Sequence, residues 1–191
     1  MCAQSRVRLA SVGLLLALAP ASFLSATTVR EVDLPEMVNA ADRIFVGRCV
    51  AVESRRDERG APTTYVTFRV AEGIKGQFGR TIAIKQIGGG SQSLLHIADM
   101  PSYSVGEEVL LFLHPNSRLG FTSPVGLHQG KWSVVESKDR TKLVRSSLHA
   151  GRKGKGPQGS PYGDRGKERQ EGETFRYDAL IPHLKKLASS K

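Results

Sequence analysis

Between Arg43 and Leu148, apolar side chains return at every second position in several separate runs. That period restricts the segment to β-structure with one face buried, because successive side chains on a strand point to opposite sides. The run "RIFVGRCVAV" predicts a first strand, followed by the polar turn "ESRRDERGAPT", punctuated by Gly60 and Pro62. In "TTYVTFRVAE", Val66, Phe68 and Val70 form an apolar face opposite Tyr65, Thr67 and Arg69. "GIKGQFG" reads as a glycine-rich turn. "RTIAIKQI" alternates again, with Ile82, Ile84 and Gln86 opposed to Ala83, Lys85 and Ile87. The unbroken run Val109–Leu113 within "GEEVLLFLH" predicts a strand buried on both faces, and "KWSVVES" and "TKLVRSSL" predict a closing hairpin across "KDR".

The first strand is apolar on both parities. Ile44, Val46, Val50 and Val52 fall on one side, and Phe45, Cys49 and Ala51 on the other, with Gly47 available for a bend or bulge. A strand whose two halves both face an interior suits a small barrel. The expectation is therefore a mainly β fold, a small five- to six-stranded barrel, with a helix before it and another after it. "DLPEMVNAAD" supplies the first helix, with Asp33 as cap, Pro35 in the first turn, and Leu34, Met37, Val38 and Ala41 on one face. "YDALIPHLKKLA" supplies the second, with Leu180, Ile181, Leu184 and Leu187 as the apolar stripe that packs back on the barrel.

The termini are of different composition. "MCAQSRVRLASVGLLLALAPASFLSA" has basic Arg6 and Arg8, a short apolar run from Val12 to Leu18, and small residues offering cleavage after Ala21 or Ala26. These are the three parts of a secretory signal, and they predict a secreted or periplasmic protein with no transmembrane segment after cleavage. Cleavage removes Cys2 and leaves Cys49 alone, which excludes an internal disulfide and makes core filling the expected role of that thiol. Residues 151–173 are rich in glycine and in charges of both signs, with Tyr162 as the one sizeable apolar residue, and are expected to be disordered. The resulting division is a signal at 1–26, a β domain at 27–149, a linker at 150–174 and an amphipathic helix at 175–191.

The succession "AADRIFVGRCVAV", "YVTFRVAEGIKGQ" and "SVGEEVLLFL" resembles the netrin-like, or TIMP-like, OB-fold. The resemblance rests on Ala41, Asp42, Gly47, Tyr65, Phe68, Val70, Lys75, Gly76, Gly106, Leu110 and Phe112. With "VGLHQGKWSV" (Gly126, Gln129, Gly130), it is nearest to uncharacterised exported bacterial proteins of that type and covers about residues 33–137. It implies an OB-fold-like barrel. It also implies an alternative role as a protease-associated or inhibitor-like protein. The Cys-x-Cys amino terminus with which the tissue inhibitors chelate zinc has no counterpart here, so that mechanism does not carry over.

Catalytic signals are weak. "GGGSQS" places Ser93 where a nucleophile elbow around Ser91 needs glycine. Glu107 and Glu108 are adjacent and diverge on a strand. The five histidines form no metal-ligand spacing, and a histidine metal site or enzyme would require His96, His114 and His128 to converge in space. No cofactor is implied. Arg48, Arg69 and Lys85 around Tyr65 resemble a nucleic-acid face, but export argues against that partner. The formal charge of +10 favours an anionic one. The long aperiodic segment from Gly88 to Val105 exceeds ordinary loop lengths and is the expected site, with Leu94, Leu95, His96, Ile97 and Tyr103 as its contact residues. The expected function is an exported, non-enzymatic module that binds a protein or an anionic surface polymer.

Overall fold

The structure, a computed structural model, describes residues 30–88, 95, 97, 99–146 and 173–190. The expected signal at 1–26 and most of the expected linker lie outside the described residues. Helix α1 (Leu34–Ala40) starts where Asp33 Oδ1 accepts the Glu36 N–H at 2.8 Å, with Pro35 in the first turn. Met37, Val38 and Ala41 are buried. At the other end, the Lys75 ammonium donates to the carbonyls of Val38 (2.7 Å) and Ala41 (2.5 Å). A cation thus meets carbonyls that the helix itself leaves unpaired.

The strands are β1 (Arg43–Arg56), β2 (Pro62–Lys75), β3 (Thr81–Ile87), β4 (Glu108–Leu113), β5 (Lys131–Glu136), β6 (Lys142–Arg145) and β7 (Thr174–Arg176). They form one antiparallel sheet in the order β3-β2-β1-β4-β5-β6-β7. This corrects the expectation of a closed five- to six-stranded barrel. The β5–β6 hairpin forms as expected, but β7 adds to its outer edge, so the sheet grows outward and leaves β3 and β7 as its two ends. Among the described residues β3 and β4 are not paired; the segment after β4 makes isolated bridges to each, at Lys85–Phe121 and Leu113–Pro124. The "GIKGQFG" turn is also shorter than expected, because β2 continues through Lys75.

One bulge resets the faces of β1. Register shifts against β2 fall between Ile44 and Phe45, between Val46 and Gly47 and between Cys49 and Ala51; the first two place the extra residue on β2, and the third leaves Val50 of β1 without a partner. An extra residue reverses the side-chain parity beyond it. Val52 therefore joins Phe45 and Cys49 rather than Ile44 and Val46, and Val50 is left 36% exposed. At Gly47, a Cβ would lie 3.0 Å from both the Arg69 carbonyl and the Phe45 ring. Strand β4 is buried on both faces, as its unbroken run predicts. Leu110 and Phe112 join Ile44, Val46, Trp132 and both helices in one cluster, while Val109, Leu111 and Leu113 join Phe45, Phe68 and Ile84 in the other.

Helix α2 (Tyr177–Ser189) closes the first cluster with Leu180, Ile181 and Leu184. It is also tied to β2 by charge: Glu72 accepts from Lys185 Nζ and from the Tyr177 hydroxyl, each at 2.7 Å. Lys185 first, then Tyr177, holds the Glu72 carboxyl below its ordinary value. A depressed folded-state pKa contributes stability above the ordinary glutamate value of about 4.3 and loses it as pH falls through the folded value. Glu72→Gln is therefore expected to be less stable than wild type at pH 7, with the gap closing toward pH 3. Urea unfolding followed by Trp132 fluorescence measures this, and a gap independent of pH would refute the assignment.

Candidate functional site

Of the expected contact residues, Leu94 and His96 lie outside the described residues. Leu95 is 39% exposed and sits against Gly88, where a Cβ would meet the Leu95 carbonyl at 2.4 Å. Ile97 is half-buried. Tyr103 is only 8% exposed, its ring edge-on to Phe68 at a centroid distance of 5.2 Å. Burial, and secondarily the Glu107 charge, pushes its hydroxyl pKa far up. The second half of the segment is pinned along its length. The Asp99 carbonyl accepts from the His128 N–H (3.0 Å), the Met100 sulfur from Gln86 Nε2 (3.4 Å) and the Ser102 carbonyl from Lys131 Nζ (2.7 Å). Tyr103 is thus an anchor that holds Ser104–Gly106 in place.

Among the described residues His114, His128 and His183 are not grouped into a centre. His128 Nδ1 stands 3.9 Å from Asp99, and His96 and His149 lie outside the described residues. Among the described residues no three histidine, cysteine or acidic side chains are grouped to hold a metal ion. Cys49 is buried in the second cluster, and burial pushes its thiol pKa up, which is the core role expected of it. Glu107 and Glu108 diverge as expected: Glu107 pairs with Lys131 at 2.7 Å, and Glu108 with Arg48 and Lys142.

What the chain does assemble is an open strand edge with a cleft at its foot. Pairing between β1 and the β4 line ends with Cys49, whose N–H donates to the Glu107 carbonyl and whose carbonyl accepts from the Gly106 N–H, both at 2.8 Å. Gly106, at φ +91°, then turns the chain away; the turn is closed by the Glu107 N–H on the Ser104 carbonyl at 3.0 Å. Strand β1 continues to Arg56 with β2 on one side only. From Ala51 to Arg56 its other edge has no strand partner among the described residues. Val50 and Val105, the latter 68% exposed, flank the start of that edge.

The far end of the hairpin is rigid and basic. Asp57 accepts from the Arg59 (3.0 Å) and Ala61 (2.9 Å) N–H groups and from Lys85 Nζ (2.9 Å), and Lys85 above all holds its carboxyl low. The Arg55 guanidinium lies 4.3 Å over the Tyr65 ring. At this end Arg55, Arg56 and Arg59 have no carboxylate within ion-pair distance among the described residues, against Glu53 and Glu58 as unpaired acids; Arg69 and Arg80 lie toward the other end of the hairpin, Arg69 opposite Arg48.

At the foot, β1, the Gly106–Glu108 turn and the ends of β5 and β6 enclose a cleft of about 460 Å³. It is lined by Glu107, Glu108 and Glu136 as well as by Arg48 and Lys142; Glu108, 13% exposed, accepts from Arg48 at 2.9 Å and from Lys142 at 2.7 Å. No protein-family model and no curated protein matches the chain. The chemistry of this region is therefore read from its own groups: main-chain donors and acceptors along an edge, an apolar flank, and cations at both ends. The edge escaped sequence reasoning, although its signal is present in the mismatch between a long "RIFVGRCVAVESRR" and a short "EVLLFL" interrupted by Gly106.

Proposed function

We propose that this chain is an exported, non-enzymatic binding module whose partner is an acidic protein segment taken along the free edge of β1. The observation that carries this reading is the Ala51–Arg56 edge, which has no strand partner among the described residues, beside Arg55, Arg56 and Arg59, which have no ion-pair partner among them. A strand edge offers hydrogen-bonding groups at the spacing of another extended peptide, and strand addition is a recurrent mode of peptide recognition. A polysaccharide has no matching ladder. The bulge at Val50 and the arginines oppose pairing with a second, equally basic copy, as charged edges do in natural sheets. An acidic peptide meets no such opposition.

The test uses an N-terminally immobilised peptide of alternating glutamate and valine, (Glu-Val)4. Wild type is expected to bind it, to bind more weakly as salt is raised, and to ignore (Lys-Val)4. Arg55→Ser/Arg56→Ser is expected to weaken binding about tenfold, a loss of about 1.4 kcal/mol. Equal binding of (Lys-Val)4, or tighter binding of polygalacturonate than of the peptide, would contradict the reading.

A further inference from the structure

We infer that the segment taken along β1 runs antiparallel to it and carries a fixed order of side chains: acidic, acidic, small polar, basic, aliphatic, with Glu-Glu-Thr-Lys-Val as the type. This rests on the edge-binding reading above and deepens it. The length follows from the two ends of the free line. At the foot, Cys49 is already paired by its N–H and its carbonyl to Glu107 and Gly106. At the tip, the Asp57 N–H donates to the Ala61 carbonyl at 2.9 Å and the chain folds back into β2. The outward groups follow from a parity that Pro62 fixes. Its carbonyl accepts from the Gly88 N–H at 2.9 Å, on the β3 side, and the main-chain groups of β2 alternate from there. Thr63 and Tyr65 therefore face Arg55 and Glu53, while Val52, Ser54 and Arg56 turn their N–H and C=O groups to the side that no described strand occupies. Strand β1 pairs antiparallel with both its neighbours, and the added strand continues the line of β4.

The order follows from the side chains along that line. Residues directly opposite on paired strands share a face, where unlike charges attract and like charges repel. Val52, packed on the second cluster, shares its face with Ser54 and Arg56; Glu53 and Arg55 lie on the other, beside Tyr65. An antiparallel segment meets Arg56 first and Arg55 next, and both favour an acid. Arg56 donates one terminal nitrogen to the Gly60 carbonyl at 2.6 Å and keeps further N–H groups for a carboxylate. Ser54 comes third. Its hydroxyl already shares a hydrogen bond with the Thr64 hydroxyl at 3.0 Å, a row that a threonine extends. Glu53 has no cation within ion-pair distance among the described residues, so it rejects an acid and favours a base. Val52 comes last, with Val50 and Val105 exposed at the foot, and seats an aliphatic side chain. Glu58 and Arg59, in the turn beyond the line, offset each other in charge. A parallel segment would need the same residues in reverse, so order reads direction.

The experiment compares fluorescein-Gly-Ser-Glu-Glu-Thr-Lys-Val-Ser-Gly-amide with the same peptide whose core is reversed to Val-Lys-Thr-Glu-Glu, by fluorescence anisotropy against the full chain. The two share composition and net charge, so general attraction to arginines does not separate them. The first is expected to bind about tenfold more tightly, the sum of several cross-strand pairs made or lost together. Glu53→Lys/Arg55→Glu exchanges two exposed charges on one face, and its urea midpoint checks that it folds. This variant is expected to prefer a Glu-Lys-Thr-Glu-Val core over Glu-Glu-Thr-Lys-Val, again by about tenfold. Equal affinity for the two orders, tighter binding of the reversed core, or an unchanged preference in the exchange variant overturns this inference; if (Glu-Val)4 still binds, edge binding stands. Binding of no peptide, (Glu-Val)4 included, overturns both.

Discussion

Trp132→Ala is expected to remove about 3–5 kcal/mol of folding stability, the cost of truncating a large buried aromatic residue. Trp132 is fully buried on β5, in the cluster where β1, β4, β5, β6 and both helices meet. Its indole is tilted against Phe112 at 5.3 Å and stacked on Phe175 of β7 at 5.8 Å, and its Nε1–H donates to the Gln129 carbonyl at 2.7 Å. Truncation leaves a cavity between β4 and β7 and strands a buried carbonyl. Against a total stability of about 5–15 kcal/mol, that is a large share. Trp132→Phe, which keeps the stack and loses the hydrogen bond, is expected to cost about 1–2 kcal/mol. Urea unfolding followed by far-ultraviolet circular dichroism measures both, since Trp132 is the only tryptophan. A loss below about 1 kcal/mol for the alanine variant would contradict the account of this cluster.

Gly130→Ala is expected to be nearly as damaging, at about 3 kcal/mol, the upper end for forcing extra atoms into a packed site. A Cβ at position 130 would lie 2.5 Å from the Val125 carbonyl oxygen and 2.8 Å from the Val125 nitrogen. Both are backbone atoms, and the Val125 N–H is committed to the Phe112 carbonyl at 2.8 Å, so the neighbour cannot yield without breaking a link to β4. The adjacent Gln129 suffers too. Its side chain accepts from the Val32 N–H and donates to the Arg30 carbonyl, each at 3.0 Å, fastening the segment before α1. Gly79→Ala is the control, because a Cβ there meets only the Thr81 carbonyl at an ordinary 3.6 Å. Equal unfolding midpoints for the two variants would refute the close approach.

These residues show why "VGLHQGKWSV" is legible as a pattern and silent about function: its glycine, glutamine and tryptophan all serve packing. The elements with a strong local period were readable for the same reason. α1 follows from Asp33, Pro35 and one apolar face; β2 and β3 follow from alternation; the two-sided burial of β4 follows from its unbroken apolar run. What the sequence hid depends on counts between strands. One unpaired residue at Val50 moved Val52 to the other face, and no local propensity marks a bulge there. Strand β7 is three residues long, "TFR", and follows a stretch without a period, so only its pairing with β6 reveals it. That pairing is also what turned an expected barrel into an extended sheet. In the Gly88–Val105 segment, its length drew attention to Tyr103, which proves to be an anchor. The surface it positions, Val105 and Gly106 beside the edge of β1, was recognisable only once β4 was seen to end short of its neighbour.

The edge of β1 is the centre of this account, and amide hydrogen exchange reads it directly. In the full chain alone, those amides of Val52–Arg56 that face away from β2 should exchange quickly, as unpaired edge groups do. With saturating (Glu-Val)4 peptide, these amides should slow at least tenfold, while β3 and the exposed surface of α2 stay unchanged. Protection that appears elsewhere, with the Val52–Arg56 amides exchanging as fast as before, would place the partner on another surface and contradict the account.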